Sequence, residues 1–290
     1  MRRFDNPCTL KGHMSKTDRI LICDTMTELA DRTKAGNDCN QWGGSWIGGV
    51  SKDSAARLLQ EGELSRVATS DKFLAKLEDK FQFETGRFRT IDAISGGLPN
   101  VAAFLAGSPL NMRRRQRVAD DVGPLTIVAD TASSGNIGAA DLEKRGAAIL
   151  ALVRILSGLR PVTLYAGVCH GNSKQAADGL NAVFTRVETA PLDLARAAFI
   201  LANPGAARGV GYGIACNEFG GEYGYIPWAF GDADLTRKYG PECFGRVFPG
   251  SEILYLPSVF ATDKSIKEPE KWLMEQVAKY GGMDNQAAAA

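Results

Sequence analysis

Three polar residues follow an apolar run near the middle of the chain, in an order that suits ligand binding. The run Leu125–Asp130 ends in its aspartate, and Ser133 and Ser134 follow closely. A carboxylate and two hydroxyls are oxygen donors that a hard cation prefers, and open α/β sheets bind ligands where a parallel strand ends. The pattern predicts a binding site at these three residues. The alternative is that Asp130 and Ser134 cap the following helix.

A run of arginines before this strand could contact phosphates. It has four arginines in five positions, namely Arg113, Arg114, Arg115 and Arg117. The planar guanidinium group matches phosphate geometry, and phosphate contacts supply much of the affinity of proteins for nucleic acids. The run therefore predicts a single-stranded nucleic-acid contact. The open alternative is a solvated linker whose charge Asp120 and Asp121 balance.

An aromatic, glycine-rich stretch, Glu218–Gly231, is a further candidate binding element. Loops of this length inside a compact domain tend to carry function. Tyr223, Tyr225 and Trp228 could stack on bases or anchor a protein partner. The alternative is a self-packed loop that covers one end of the sheet.

The cysteines and histidines do not form a reactive or metal-binding set. Cys169 and His170 are neighbours on a predicted strand, where adjacent side chains point to opposite sides, whereas a nucleophile and its base must meet. The remaining candidates lack the paired spacing of structural zinc sites: Cys8, His13, Cys23 and Cys39. No phosphate-binding glycine motif and no triad is evident. The sequence predicts a protein without enzymatic activity, without a cofactor and without a tightly held metal.

Alternating strands and helices position these candidates. Strands are predicted at Leu125–Asp130, Val162–Val168, Ala182–Glu188, Val210–Asn217 and Ile253–Pro257. Helices are predicted at Ala139–Leu156, Leu192–Leu201, Asp232–Tyr239 and Pro269–Tyr280. Such alternation predicts an α/β fold with a mostly parallel sheet. The second and third strands are joined by a polar loop with no room for a good crossover helix, which predicts one antiparallel pair.

The first part of the chain predicts an α+β elaboration that precedes this sheet. It begins with a predicted strand at Arg19–Cys23, which three helices follow: one at Thr25–Thr33, one from the N-cap Ser51 to Leu59, and one at Leu64–Leu77. A hairpin is then predicted at Phe81–Ile94. A short helix that ends at Leu105 has Pro99 at its first position. The chain is thus divided into an elaboration at 1–118, an α/β domain at 119–282 and a flexible tail at 283–290. In the first helix of the α/β domain, Lys144, Arg145 and Arg154 lie off the apolar stripe that packs on the sheet.

Composition narrows the range of partners. The formal net charge is +1, so nucleic-acid or membrane binding would need a local patch. No apolar run approaches the roughly 20 residues that span a bilayer, and the sequence predicts no membrane partner. Six cysteines scattered through 290 residues, without a secretory signal, favour a reduced, cytoplasmic setting over a disulfide scaffold.

The order of the elements resembles the von Willebrand factor A domain. In that family the first strand ends in Asp-x-Ser-x-Ser, which holds a divalent ion together with a Thr and an Asp from later loops. The corresponding residues here are Asp130, Ala132 and Ser134, so the middle hydroxyl is lost, and the loop after Leu201 has no carboxylate. The resemblance implies a Rossmann-like sheet with a degenerate metal site.

A second resemblance is to an uncharacterised, largely phage-encoded family that carries such a domain. It is spread from about residue 40 to 260 and rests on Asp92, Trp42–Trp46, Pro99–Gly107, Arg145–Leu152 and Pro204–Tyr212. It implies a phage protein in the host cytoplasm. The leading interpretation is a non-enzymatic adaptor that binds a phage or host protein through the strand-end face of the sheet. The alternatives are a nucleic-acid-binding accessory factor for phage transcription or replication, and a virion structural component.

Overall fold

The computed structural model describes residues 1–5, 19–36, 42–78, 88–117, 123–171, 180–219 and 233–281. The strands are β1 (Arg2–Asp5), β2 (Arg19–Cys23), β3 (Phe88–Ala93), β4 (Leu98–Pro99), β5 (Met112–Arg117), β6 (Leu125–Asp130), β7 (Val162–Gly171), β8 (Leu180–Val187) and β9 (Glu252–Leu256). Six of them form the main sheet, in the order β1-β2-β8-β7-β6-β9, and the other three form a small sheet, in the order β3-β5-β4.

The α-helices are α1 (Met26–Ala35), α2 (Lys52–Glu61), α3 (Val67–Glu78), α4 (Val101–Leu105), α5 (Ala139–Leu159), α6 (Leu194–Ala202), α7 (Tyr212–Phe219), α8 (Ala233–Val247), α9 (Lys264–Lys267) and α10 (Pro269–Tyr280). A π-helix, Gly205–Gly211, leads into α7. Side-chain caps set several helix starts: Thr25 accepts from the N–H of Glu28, and Ser51, as predicted, accepts from that of Ser54. Among the residues described, no helix is long and apolar enough to cross a membrane.

The pairing of the main sheet confirms the coarse fold prediction. β6 lies between β7 and β9 and is parallel to both. β7 and β8 form the predicted antiparallel pair. β2 adds to the free side of β8 in parallel, and β1 closes that edge in antiparallel fashion. The protein is therefore an α/β protein with a six-stranded, mostly parallel sheet, and the first 23 residues supply two strands of it.

Helices cover both faces of the main sheet, so its inner strands are mostly apolar on both sides, whereas the edge strand β1 is mostly polar and exposed. On one face, a large cluster joins the sheet to α1, α2, α5, α6, α7 and α10. On the other face, α8 packs an aromatic group against the strands. Phe244 meets Phe184 edge to face at a centroid distance of 5.4 Å and lies 4.9 Å from the ring of Tyr255. Aromatic pairs at such distances add to the stabilisation from burial alone.

The predicted strand Val210–Asn217 is wrong, because this segment is helical. Its alternation of Val, Tyr and Ile with small residues imitates the period of a strand. The small residues instead let the backbone pack closely against its neighbours. A Cβ at Gly211 would come within 2.7 Å of both methyl groups of Val168, and one at Gly209 within 2.5 Å of the ring of Trp42.

The small sheet also departs from the sequence prediction. The second arm of the predicted hairpin is β3, which pairs with β5; the first arm lies outside the described residues. Pro99 belongs to β4 and not to the following helix, which Asn100 caps through the N–H of Ala103. The arginine run is neither loop nor linker but the middle strand of this sheet, β5.

Candidate functional site at the strand ends

Asp130 occupies the predicted position, as the last residue of an inner strand whose two neighbours are parallel to it. The segment that follows it, Thr131–Ser134, turns over the end of the sheet. Ser133 forms a bridge to Val259 in the loop after β9, and the N–H of Ser134 donates to the carbonyl of Val259 at 3.0 Å. The ends of β6, β7 and β9 thus meet at this point.

The capping alternative for Asp130 and Ser134 is wrong. Helix α5 begins at Ala139, and its N-cap is Gly138, which has no side chain to offer. Asp130 is fully buried, Ser133 is nearly so, and Ser134 is partly exposed.

The carboxyl group of Asp130 is satisfied inside the protein. Its Oδ1 accepts from the N–H groups of Ala132 at 2.9 Å and Cys169 at 3.2 Å, and its Oδ2 accepts from the hydroxyl of Tyr255 at 3.4 Å. Burial raises the pKa of Asp130 to about 6, because desolvation outweighs the lowering effect of the two backbone donors. The side chain is therefore a buried acceptor that joins β6, β7 and β9.

Cys169 lies beside this carboxyl group, with its Sγ 3.8 Å from the hydroxyl of Tyr255. Burial raises the pKa of the Cys169 thiol well above its usual value, and the nearby Asp130 raises it further. A protonated, inaccessible thiol is a weak nucleophile. The side chain of His170 lies outside the described residues.

Arg208 is the residue that sequence reasoning missed. The π-helix carries it to the strand ends, where its guanidinium group donates to the carbonyls of Trp46 at 3.0 Å and Ile137 at 2.8 Å and to the Oγ of Ser133 at 3.2 Å. It also lies 4.8 Å from the centre of the Trp46 ring, a cation–π contact. Burial lowers the pKa of Arg208, and Tyr212 acts in the opposite direction. The signal in the sequence was a lone arginine among glycines and alanines. In the structure this segment is a π-helix, and π-helices often occur at functional sites.

Arg145 is a second buried arginine at the same place. It was predicted to lie off the packing stripe of its helix, yet it is 3% exposed. Its guanidinium group donates to the backbone carbonyls of Asp130 at 3.1 Å and Pro257 at 2.6 Å. Burial lowers its pKa, which the charges of Asp263 and Asp130 partly counteract. Arg145 and Arg208 therefore tie together the loops that end β6 and β9.

This arrangement does not fit the divalent ion that the resemblance to the von Willebrand factor A domain implies. Asp130 has no exposed oxygen, and the Oγ of Ser133 already accepts from a cation. The buried guanidinium groups of Arg145 and Arg208 would also repel a divalent cation placed beside Asp130. Within the described part of the chain, no three side chains of His, Cys, Asp or Glu are grouped so that they could hold a metal ion.

Exposed aromatic residues adjoin the site. Trp46, which covers Arg208, and Phe260, which follows the Val259 bridge, expose 44% and 39% of their surface. Ser134 lies between the two segments that carry them. Exposed aromatic side chains of this kind are frequent anchors of protein interfaces.

Several other predicted residues lie elsewhere or outside the described structure. Tyr223, Tyr225 and Trp228, like Cys8, His13 and Cys39, lie outside the described residues. Arg113 and Arg114 are exposed on the small sheet, and the side chains of Arg115 and Arg117 are not described. Cys243 is disulfide-bonded, whereas Cys23, Cys169 and Cys216 are free thiols; the sequence favours a reduced setting over a disulfide scaffold.

Comparison with known proteins places the chain in a family without assigning it an activity. No curated protein and no solved structure matches the sequence. One family model, described as "Domain of unknown function (DUF7192)", matches residues 14–284. Since this match spans most of the 290 residues, the chain belongs to the DUF7192 family.

Proposed function

We propose that this protein is a phage-encoded, non-enzymatic adaptor built on a degenerate von Willebrand A-type domain, and that it binds a phage or host protein through the strand-end face. The order of elements supports the domain type: a central strand ending in Asp130, a long helix, an antiparallel pair and a further parallel strand. The internal use of Asp130 and Ser133 supports a binding role that needs neither metal nor chemistry.

The observation that carries this proposal is the pair of exposed aromatic residues, Trp46 and Phe260, at the strand ends. Arg208 holds the backbone of Trp46 and contacts its ring, so this anchor is positioned before any partner arrives. A pre-positioned side chain loses less conformational entropy on binding. The backbone N–H and carbonyl of Ser134 are bonded to Val259 and Arg208, so its hydroxyl group is the atom that can offer a partner a hydrogen bond here.

Affinity capture from phage-infected cells tests the proposal, with the full chain as bait and the captured protein then purified for titration. Trp46→Ser and Phe260→Ser should each weaken binding by roughly 30-fold, as expected for an interface anchor. Phe104→Ser serves as the control, because Phe104 is an exposed aromatic residue of helix α4 and not part of the strand-end face. Equal affinity of all variants, or binding that a chelator abolishes, would contradict the proposal.

A second candidate function, single-stranded nucleic-acid binding, is favoured by one specific observation. The arginine run forms a regular strand, in which alternate positions share a face, so positions 113, 115 and 117 lie in a row. If this row contacts phosphates, log K should fall with log salt by about 0.7 per contact. Replacing Arg113, Arg115 and Arg117 by Ala should flatten that slope by up to about two units. If the variant has the same slope of log K against log salt as wild type, the arginine run does not bind nucleic acid.

A further inference from the structure

The small sheet and α4, residues 88–117, form an arm with an unusual surface. Its three strands pair with one another and with no strand of the main sheet. Six of its large apolar side chains are between 45% and 79% exposed: Ile94, Leu98, Val101, Phe104, Leu105 and Leu110. The rest of the described chain exposes four such residues, which are Met1, Trp46, Leu64 and Phe260.

Helix α4 shows how complete this exposure is. All five of its residues, Val101–Leu105, are apolar, and none of them is buried. A helix that is apolar all round normally lies in a protein core or in a membrane, because no side of it prefers water. The apolar residues before and after α4, on β4 and in the loop to β5, widen the exposed patch.

The arm is also the basic part of the protein. Residues 88–117 contain five arginines and one aspartate, a net charge of +4, whereas the whole chain carries +1. The remainder therefore carries −3. Arg113 and Arg114 are exposed on β5, and Arg113 lies 3.5 Å from Asp92. Whatever covers this patch must accept both apolar side chains and positive charge.

An anionic lipid surface accepts both apolar side chains and positive charge, and it does so better than a second copy of the arm, a nucleic acid or a helix-binding groove. A second arm would bring two charges of +4 together, which opposes self-association through this patch. Nucleic acid would match the arginines but would leave Leu98, Val101 and Leu105 uncovered. A helix-binding groove reads anchors over two or more turns, and α4 has only five residues. A fluid apolar layer under anionic headgroups can surround the arm on all sides.

We propose that the arm is a peripheral membrane anchor. Leu98, Val101, Phe104 and Leu105 enter the boundary between headgroups and acyl chains, while Arg113 and Arg114 contact lipid phosphates. This contact requires no membrane-spanning helix. The proposal uses none of the residues of the strand-end face, so it stands or falls independently of the adaptor function.

Vesicle flotation with the full chain tests the proposal. Two kinds of vesicle are compared, one of phosphatidylethanolamine with anionic phosphatidylglycerol and one of neutral phosphatidylcholine. The protein should float with the anionic vesicles and weakly or not at all with the neutral ones. Phe104→Ser combined with Leu105→Ser should lower the partition coefficient at least about tenfold. Arg113→Gln and Arg114→Gln should each lower it about fivefold.

Matched controls separate the arm from general surface effects. Leu64→Ser and Phe260→Ser remove exposed apolar residues outside the arm, and Arg57→Gln removes an exposed arginine of α2; all three should float like wild type. Unchanged thermal unfolding of every variant shows that the fold is intact. No flotation of the wild type, or equal losses in arm and control variants, would overturn the proposal. So would arm variants that lose binding to a single-stranded oligonucleotide but not to vesicles.

Discussion

At the residue scale, the carboxyl group of Asp130 and the guanidinium groups of Arg145 and Arg208 serve the strand-end loops themselves. Each of the three residues is at least 97% buried, and together they bond to β7 and to the segments that follow β6 and β9. Burying such polar groups is costly unless they are hydrogen-bonded; the carboxyl oxygens of Asp130 and the Nη atoms of both arginines are bonded, whereas the buried Nε atoms of Arg145 and Arg208 have no partner among the described residues. The site is thereby held in one arrangement without an added ion.

Replacing Asp130 by Asn should remove a pH dependence of stability. The pKa of Asp130 rises from the ordinary 3.8 to about 6 on folding, so the folded protein holds this proton more tightly than the unfolded chain. The resulting stabilisation is present below about pH 4 and is lost as the pH rises through 6. Its size is on the order of 3 kcal/mol. Urea unfolding at pH 4 and pH 7 should show this loss in wild type and in Asp141→Asn, a partly exposed control, but not in Asp130→Asn. Identical pH profiles would contradict the assignment.

Replacing Arg208 by Met should destabilise the protein by about 2–4 kcal/mol, because the buried carbonyl of Ile137 and the partly buried carbonyl of Trp46 would lose their donor. Arg57→Met, at an exposed position of α2, should change the free energy of unfolding by no more than about 0.5 kcal/mol. Denaturant unfolding measures both values. If Arg208→Met were as stable as wild type, the guanidinium group would not be holding these loops together.

At the element scale, close packing of helices on one another depends on a glycine of α5. A Cβ at Gly146 would overlap the backbone of Leu201 and Ala202 at the end of α6, whereas one at Gly158 in the same helix would meet nothing within 4 Å. Gly146→Ala should therefore cost roughly 1–3 kcal/mol or more. Gly158→Ala should be neutral or stabilise by up to about 1 kcal/mol. Thermal unfolding of the two variants compares them directly, and equal effects would mean that helix propensity alone matters here.

Sequence patterns predicted three kinds of feature: a continuous apolar run, a connection too short for a crossover helix, and an apolar pattern with helical period. The strand that ends at Asp130, the antiparallel pair β7–β8 and helix α10 follow from such patterns. Patterns failed where small residues serve close packing, as in the segment after Gly205 that imitates a strand. They also failed at the arginine run, since charge alone does not reveal that β3 and β4 flank it.

The candidate site likewise contains residues that the sequence could predict and residues that it could not. The position of Asp130 could be predicted because an apolar run ends there. Arg145 and Arg208 could not, because a long charged side chain in an apolar segment is ordinarily solvated. Their burial depends on carbonyl groups of Trp46 and Pro257, which are distant in sequence and meet only in the fold.

At the scale of the whole molecule, the main sheet crosses the boundary predicted at residue 118. Strand β2 pairs with β8 over its full length, from Arg19 with Asn181 to Cys23 with Thr185. Its side chains enter both clusters: Leu21 packs with the many helices of one face, and Ile22 packs with the aromatic group of α8. The elaboration is thus part of the core that the α/β segment needs.

A fragment beginning at residue 119 should therefore fail to fold on its own. Without β1 and β2, strand β8 becomes an open edge, and unpaired edge strands favour aggregation. Loss of α1 and α2 would expose the apolar cluster that holds Leu29 and Leu59. Uncovering several such side chains, at roughly 1.5–3 kcal/mol each, exceeds the stability of a typical domain.

The test compares fragment 119–290 with the full chain by near-ultraviolet circular dichroism and urea unfolding. A variant of the full chain with Leu64→Ser, an exposed position in the same N-terminal part, controls for changes that leave the core intact and should unfold like wild type. A cooperative transition in the isolated fragment would show that the α/β segment is autonomous, as the sequence alone predicts.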